Sequence, residues 1–256
     1  MKIITIQIIN FLFKFLFLKK IILNILVKKY GFDFIDFGSK TGGSIAYASK
    51  VFQLNKGLGI DLLDGFPSLA CKNNFLGLKT DILKIPNVKI FDAVVMSHFL
   101  EHIPARETSL TMIKKALDIS NKFVYIQQPF FDENIYLFKN DLKLAYADWR
   151  GHPNMLTSYD FYIMLKRLQR TYDFEFTIAF DHPIKNSSSA DIVNINEPFN
   201  VIQFDKDKSF KKKRLVFDRE IYKEIKVLIT HRDINHSHYL SLMRYEKDFQ
   251  LPEGIE

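Results

Sequence analysis

The sequence predicts an α/β fold in which a mostly parallel sheet carries helices on both faces. From residue 32 onward, short β-branched or aromatic runs alternate with helix-length segments, the pattern of parallel strands joined by crossover helices. The chain has 256 residues, of which 47% are hydrophobic and 25% charged. It is therefore long enough to bury a large core and too apolar for intrinsic disorder.

The first predicted element is a helix in the N-terminal segment, residues 1–29. The first 32 residues contain six lysines and no acid, whereas the rest of the chain has 30 basic and 29 acidic residues. Placed on a helix, most of the polar side chains share one side and Ile, Leu and Phe fill the others. This pattern is typical of a helix lying in an anionic membrane interface. The alternatives are packing on the protein's own domain, a dimer contact, or a spanning helix, although lysines interrupt every apolar window of about 20 residues.

Strands and helices follow in alternation. The clearest strands are Phe32–Phe37, Gly57–Leu62, Phe91–Ser97 and Lys122–Gln127, and the weaker ones are Phe75–Lys79, Phe174–Phe180 and Val201–Phe204. The predicted helices are Ser44–Leu54, Pro104–Ile119, Ser158–Leu168 and a mixed segment near Arg219–Ile229. Phe130–Thr157 shows no clear period, so we expect it to be functional or to contain a helix that the pattern does not locate.

Four features lie at the ends of the predicted strands, where open α/β sheets bind ligands. The glycine turn DFGSKTGGS, beginning at Asp36, leads into a helix whose backbone N–H groups face a ligand. Asp61 closes the next strand, and an acid there suits the two hydroxyls of a ribose. Asp81 follows the third strand, where its carboxylate could accept from an exocyclic amine. The fourth strand ends at Ser97 and His98. Each feature alone is more often a turn or a helix cap, but the four in this order favour an adenosyl site.

The stretch from Phe32 to Pro104 resembles class I S-adenosylmethionine-dependent methyltransferases, through FDFIDFGSKTGGS, GLGIDL, LKTDIL and FDAVVMSHFLEHIP. The resemblance implies a Rossmann-like, doubly wound sheet of seven strands and S-adenosyl-L-methionine as cofactor. The cofactor-binding residues that it implies are Asp36, Gly38, Ser39, Gly42, Asp61, Leu62, Asp81, Ile82 and Ser97. Lys40 departs from the family pattern, because it stands at the middle glycine position of the motif.

We predict methyl transfer to a glycan, a lipid-linked molecule or a small molecule, at oxygen, with His98 and His152 as the catalytic candidates. Residues 30–210 would form the methyltransferase domain, with an acceptor-covering insertion at about 130–157, and residues 211–256 a C-terminal helical extension. The alternatives are a non-catalytic scaffold of the same fold and a nucleic-acid methyltransferase. The second is disfavoured, since the Asn-Pro-Pro-Tyr or Asp-Pro-Pro-Tyr motif of base methyltransferases is absent after the fourth strand.

Cysteine content and charge set the remaining expectations. The single cysteine excludes an intramolecular disulfide and any cysteine-cluster zinc site, and no metal ligands are predicted. The near-neutral body does not suggest a phosphate-binding face. We therefore predict a cytoplasmic protein whose N-terminal helix either associates peripherally with the inner face of the membrane or packs on the domain.

Overall fold

The computed structural model describes residues 19–73, 75–200 and 210–250. Its strands are β1 (Phe34–Phe37), β2 (Gly57–Asp61), β3 (Leu76–Lys79), β4 (Phe91–Ser97), β5 (Ser120–Pro129), β6 (Leu142–Leu144), β7 (Phe174–Asn186), β8 (Ile192–Asn194), β9 (Val216–His231) and β10 (Lys247–Asp248). Its helices are α1 (Lys19–Tyr30), α2 (Gly43–Val51), α3 (Phe66–Lys72), α4 (Arg106–Ile119), α5 (Asn134–Lys139), α6 (Ser158–Leu168) and α7 (His236–Leu242).

Eight of these strands form one sheet in the order β10-β7-β9-β5-β4-β1-β2-β3, and β6 pairs with β8 in a separate ribbon. Five adjacent strands pair in parallel, in the order β3-β2-β1-β4-β5. In contrast, β9 runs antiparallel to both of its neighbours, β5 and β7. The predicted α/β fold with a mostly parallel sheet is confirmed. The sheet has eight strands rather than seven, because the two-residue β10 pairs with the outer edge of β7.

Helices cover both faces of the sheet, and β1 shows why. Its side chains are all buried, with Phe34 in one core cluster and Ile35 and Phe37 in the other. Phe34 packs on one face with residues of α2, including Ile45, while Ile35 packs on the opposite face in the cluster that contains Leu117 of α4. A strand buried on both faces reads as a mostly apolar run, and in β1 only Asp36 interrupts it.

The C-terminal region differs from the prediction. The segment near Arg219–Ile229 was predicted as a helix, and it lies inside the 16-residue strand β9. The predicted helical extension over residues 211–256 is therefore wrong in its main element, because β9 belongs to the sheet. Its second half is buried on both faces between β5 and β7, so no period of two marks it as a strand. The predicted strand Val201–Phe204 lies outside the described residues.

Two further regions bear on the site. The aperiodic stretch from Phe130 to Thr157 contains α5 and β6, and the Asn154 side chain ties it to the backbone carbonyl of Leu100, just after β4. The described part of the N-terminal helix, α1, packs on the domain through Ile22 and Leu23. Residues 1–18 of the predicted amphipathic helix lie outside the described ranges. Among the helices within those ranges, none has the length and hydropathy needed to cross a membrane.

Candidate functional site

A cavity of about 300 Å³ lies at the carboxyl ends of β1, β2, β3 and β4. This is the edge at which open α/β sheets bind ligands. Six of the residues predicted for cofactor binding or catalysis line it: Gly38, Asp61, Leu62, Asp81, Ile82 and His98. The cavity wall also includes Lys40 and, on the side of the β4 turn, Phe99 and His102.

The glycine turn needs its glycines for two separate reasons. Gly38 and Gly42 have φ angles of +73° and +83°, in the left-handed region that side chains disfavour. A Cβ atom would lie 2.5 Å from the ring of Phe99 at Gly38 and 2.4 Å from the ring of Phe75 at Gly42. Gly38 lines the cavity, whereas Gly42 precedes α2 and faces aromatic packing. Lys40, at the middle glycine position of the motif, has a φ of +42° and thus keeps the backbone that a glycine would favour.

Asp36 and Ser39 are buried under the glycine turn and do not line the cavity. The Ser39 hydroxyl donates to the Asp36 carbonyl oxygen over 2.9 Å. The Ser44 hydroxyl donates to Oδ2 of Asp36 over 2.5 Å, while Oδ1 has no hydrogen-bond partner among the described residues. Burial raises the pKa of Asp36 to about 7, although hydrogen bonding by Ser44 and Ser39 lowers it.

Asp61 and Asp81 lie on the cavity wall and are held by backbone hydrogen bonds. Asp61 accepts from the N–H of Lys40 over 3.0 Å and from the N–H of Leu63 over 2.9 Å. Asp81 accepts from the N–H of Leu83 over 2.9 Å and caps a short 3₁₀ helix. These bonds fix both carboxylates and leave lone pairs on their oxygens, since an ionised carboxylate has about four acceptor sites.

His98 lies on the cavity wall between two carboxylates. Its Nδ1 is 3.4 Å from Oε1 of Glu101, and its Nε2 is 3.5 Å from Oε1 of Glu224. Burial lowers the pKa of His98, but the two acids outweigh burial and raise that pKa to about 9. The preceding residue, Ser97, pairs with Gln127 of β5 in the sheet and does not line the cavity.

Glu224 is not among the site residues predicted from the sequence, because its strand was predicted as a helix. Glu224 accepts a 2.8 Å hydrogen bond from Nε2 of Gln127, and it lies opposite Asp181 in the register of β9 and β7. Asp181 forms a buried ion pair with Lys226, whose ammonium also donates to the Arg244 carbonyl over 2.7 Å. The β-branched run IKVLITH was the available signal for a strand here.

His152, the second catalytic candidate, is buried and does not line the cavity. Its ring lies 4.9 Å from the ring of His102, which does line it. Burial lowers the pKa of His152, against an opposing effect of Glu101. Glu101, His102 and His152 each offer a possible ligand atom, and these atoms lie within 4.8 Å of one another. Asp181, His182 and Glu224 form a second group of this kind.

Comparison with solved structures finds similar folds at low identity. A SAM-dependent methyltransferase from Archaeoglobus fulgidus matches with a TM-score of 0.50 and 16% identity, over 83% of this chain and 94% of that chain. The small RNA methyltransferase HEN1 matches with a TM-score of 0.50 and 13% identity, over 78% of this chain and 23% of that chain. No protein-family model matches the chain, and no curated protein does.

Proposed function

From the class I S-adenosylmethionine-dependent methyltransferase fold of this chain, we propose that it binds S-adenosylmethionine in the cavity and transfers the methyl group to an acceptor. The acceptor that we propose is a small molecule, a glycan or a lipid-linked molecule, methylated at oxygen. The cavity carries this proposal, because it brings together residues from three separate motifs, represented by Gly38, Asp61 and Asp81. Function does not follow from fold alone, and these residues are what supports a cofactor site here.

The residues present fit this cofactor. Gly38 places backbone on the cavity wall at a φ of +73°, and the ring of Phe99 occupies the space that a side chain there would need. Asp61, fixed by Lys40 and Leu63, would accept from the ribose hydroxyls through its remaining lone pairs. Asp81 would accept from the adenine amino group. The cavity volume is at the lower end of the range for small-molecule sites.

The bound cofactor supplies an electrophilic methyl group on a sulfonium. The contribution of the protein is alignment, because holding an acceptor in line with that methyl group removes much of the barrier. His98 and His102 lie at the end of the cavity formed by the turn after β4. The raised pKa of His98 keeps its imidazole protonated near neutral pH, so this ring would donate a hydrogen bond to a hydroxyl acceptor. We assign His98 to contact with the acceptor, and His152 to support of His102.

Cofactor binding is the direct test, and Asp61 is the residue to change. Titration calorimetry with S-adenosylmethionine should show binding by the wild type and at least about tenfold weaker binding by Asp61→Ala, because a charge-assisted pair contributes about 1.5–3 kcal/mol. Asp61→Asn keeps one acceptor oxygen and should lose less. Asp64→Asn is the matched control, since Asp64 is an exposed acid nearby that pairs with Lys79. Absence of binding by folded wild type would favour the scaffold alternative.

The acceptor itself requires a screen. Wild-type protein and labelled cofactor should be incubated with fractionated small metabolites, glycans, lipids and small RNA, and label transfer measured. Transfer to a metabolite, glycan or lipid fraction supports the proposed acceptor classes, whereas transfer to RNA alone would replace them.

A lipid-linked acceptor is favoured by one feature of α1. Ile21 and Ile25 are 55% and 52% exposed and lie beside lysines of the same helix, whereas Leu23 is fully buried. Exposed apolar side chains with nearby lysines suit an anionic lipid surface. The full chain should therefore sediment with vesicles containing phosphatidylserine, and Ile21→Ser/Ile25→Ser should sediment less. Equal sedimentation of the two proteins would count against a lipid-linked acceptor and favour the soluble acceptor classes.

A further inference from the structure

We propose that Glu101, His102 and His152 form a binding site for one divalent transition-metal ion at the edge of the cavity. The three residues come from two segments that are distant in the sequence. Glu101 and His102 lie in the 3₁₀ turn after β4, and His152 lies in the aperiodic stretch that follows β6. Their potential ligand atoms lie within 4.8 Å of one another.

Glu101 is the first reason to expect a cation. Its side chain is fully buried, and neither carboxylate oxygen accepts a hydrogen bond from the described residues. The nearest cationic group is His98, whose Nδ1 lies 3.4 Å from Oε1, but the same ring also faces Glu224, so two carboxylates share one imidazole and Oε2 of Glu101 has no donor among the described residues. A buried carboxylate with so little compensation is unfavourable unless a further cation or donor approaches it. A metal ion bound by this carboxylate would supply that compensation.

The two histidines are oriented as metal ligands usually are. Nδ1 of His152 lies 3.2 Å from the Tyr146 carbonyl oxygen, and Nδ1 of His102 contacts the Gly151 carbonyl oxygen. A carbonyl oxygen only accepts, so each Nδ1 carries the hydrogen and each Nε2 keeps a free lone pair. Metal-ligating histidines commonly donate their other ring N–H to a carbonyl or a carboxylate in this way.

The donor set determines the class of ion. Two imidazoles and one carboxylate suit Zn²⁺ and related first-row ions, whereas Mg²⁺ and Ca²⁺ prefer oxygen ligands throughout. In a tetrahedral site with ligands at about 2.1 Å, neighbouring ligand atoms are about 3.4 Å apart. The cluster therefore needs side-chain movements of about 1 Å to close around an ion.

The second group of potential ligands, Asp181, His182 and Glu224, is less suited to a cation. The Lys226 ammonium already pairs with Asp181, and Gln127 already donates to Glu224. His182 is 64% exposed at the side chain, so it can be changed without disturbing the core. This group therefore provides a matched control of similar composition.

Three protein ligands leave at least one coordination position open. Because His102 also lines the cavity, that position would accept an oxygen atom of the acceptor. This consequence rests on the proposed function, whereas metal binding does not. The test below therefore uses metal alone, without cofactor, so that failure of cofactor binding and failure of metal binding are separate results.

The experiment compares the wild type, Glu101→Gln, His152→Asn and His182→Asn after treatment with a chelator. Zn²⁺ is titrated by calorimetry, Co²⁺ by its visible absorption, and Mg²⁺ serves as the oxygen-preferring ion. We expect one Zn²⁺ or Co²⁺ ion per chain in the wild type and in His182→Asn. Binding should be at least about tenfold weaker in Glu101→Gln and His152→Asn, and weaker for Mg²⁺ than for Zn²⁺ in the wild type.

Thermal unfolding controls for loss of the fold. In chelator, Glu101→Gln should unfold at or above the wild-type temperature, because it removes a buried charge that shares its one cationic neighbour, His98, with Glu224. Zn²⁺ should raise the unfolding temperature of the wild type and leave that of Glu101→Gln unchanged, since an ion that binds only the folded state stabilises it. The proposal is overturned if the wild type binds no ion, if Glu101→Gln binds equally well, or if His182→Asn abolishes binding.

Discussion

Two buried aspartates, Asp36 in the parallel part of the sheet and Asp181 in the antiparallel part, are accommodated in different ways. Asp36 lies next to the last residue of β1, beside the glycine turn, where Ser44 donates to it and no cation of the described residues pairs with it. Asp181, on β7, pairs with the buried ammonium of Lys226 on β9. The first environment is built from residues within eight positions of one another, whereas the second requires two antiparallel strands to meet. Local sequence therefore predicts the first, and only the assembled sheet provides the second.

Removing Lys226 should have the largest effect. Lys226→Met leaves the Asp181 charge buried without its partner, which costs about 3–5 kcal/mol of folding free energy. Equilibrium denaturation measures this loss. The double change Asp181→Asn/Lys226→Met removes both charges and should recover most of the stability. A loss that is the same in the single and the double variant would show that the ammonium acts through its bond to the Arg244 carbonyl instead.

Asp36 should make stability depend on pH in the cofactor-free protein. Its folded pKa of about 7 lies above the ordinary value of 3.8, so the folded state holds the proton more tightly. The stabilisation is complete below pH 3.8 and is lost as the pH rises through 7. Relative to Asp36→Asn, the wild type should therefore lose about 4 kcal/mol between pH 4 and pH 8. Denaturation of both proteins across this range tests it, and a constant difference between them would contradict the assignment.

Gly38 lies in the glycine turn beside Asp36, and its missing side chain leaves room for Phe99 of the β4 turn. Gly38→Ala combines a positive φ with a Cβ placed only 2.5 Å from a ring carbon of Phe99, and we expect a loss of about 2 kcal/mol in stability together with weaker cofactor binding. Gly43→Ala is the control, since a Cβ there meets nothing within 4 Å. Equal losses of stability in Gly38→Ala and Gly43→Ala would mean that the close contact with Phe99 does not determine the cost of a side chain at Gly38.

Lys40 should show the smallest effect, and one of opposite sign. Its φ of +42° is unfavourable for a side chain, so Lys40→Gly should stabilise the protein by up to about 1 kcal/mol. Cofactor affinity should stay the same or rise slightly, because Asp61 is held by the backbone N–H of Lys40, which glycine retains. Denaturation and calorimetry measure the two quantities. A large loss of affinity would show that the Lys40 side chain contacts the cofactor.

Several elements were predictable because their signals are local. The strand predicted at Phe91–Ser97 has the same bounds in the structure, and so does the helix predicted at Ser158–Leu168. That helix begins with a capping box between Thr157 and Asp160, which short-range hydrogen bonds form without help from the rest of the fold. The positions of Asp61 and Asp81 on the cavity wall were also predictable, since the carboxyl ends of parallel strands lie at one edge of the sheet.

What the sequence alone determined is the class of fold, the glycine turn and the acids at the strand ends, because each depends on a few neighbouring residues. The tertiary structure decided the rest. Glu224 reaches Gln127, 97 positions away, only because β9 inserts antiparallel between β5 and β7. His152 meets His102 only because the stretch after β6 folds back onto the β4 turn. No local pattern encodes such contacts, since they depend on which strands pair and in which register.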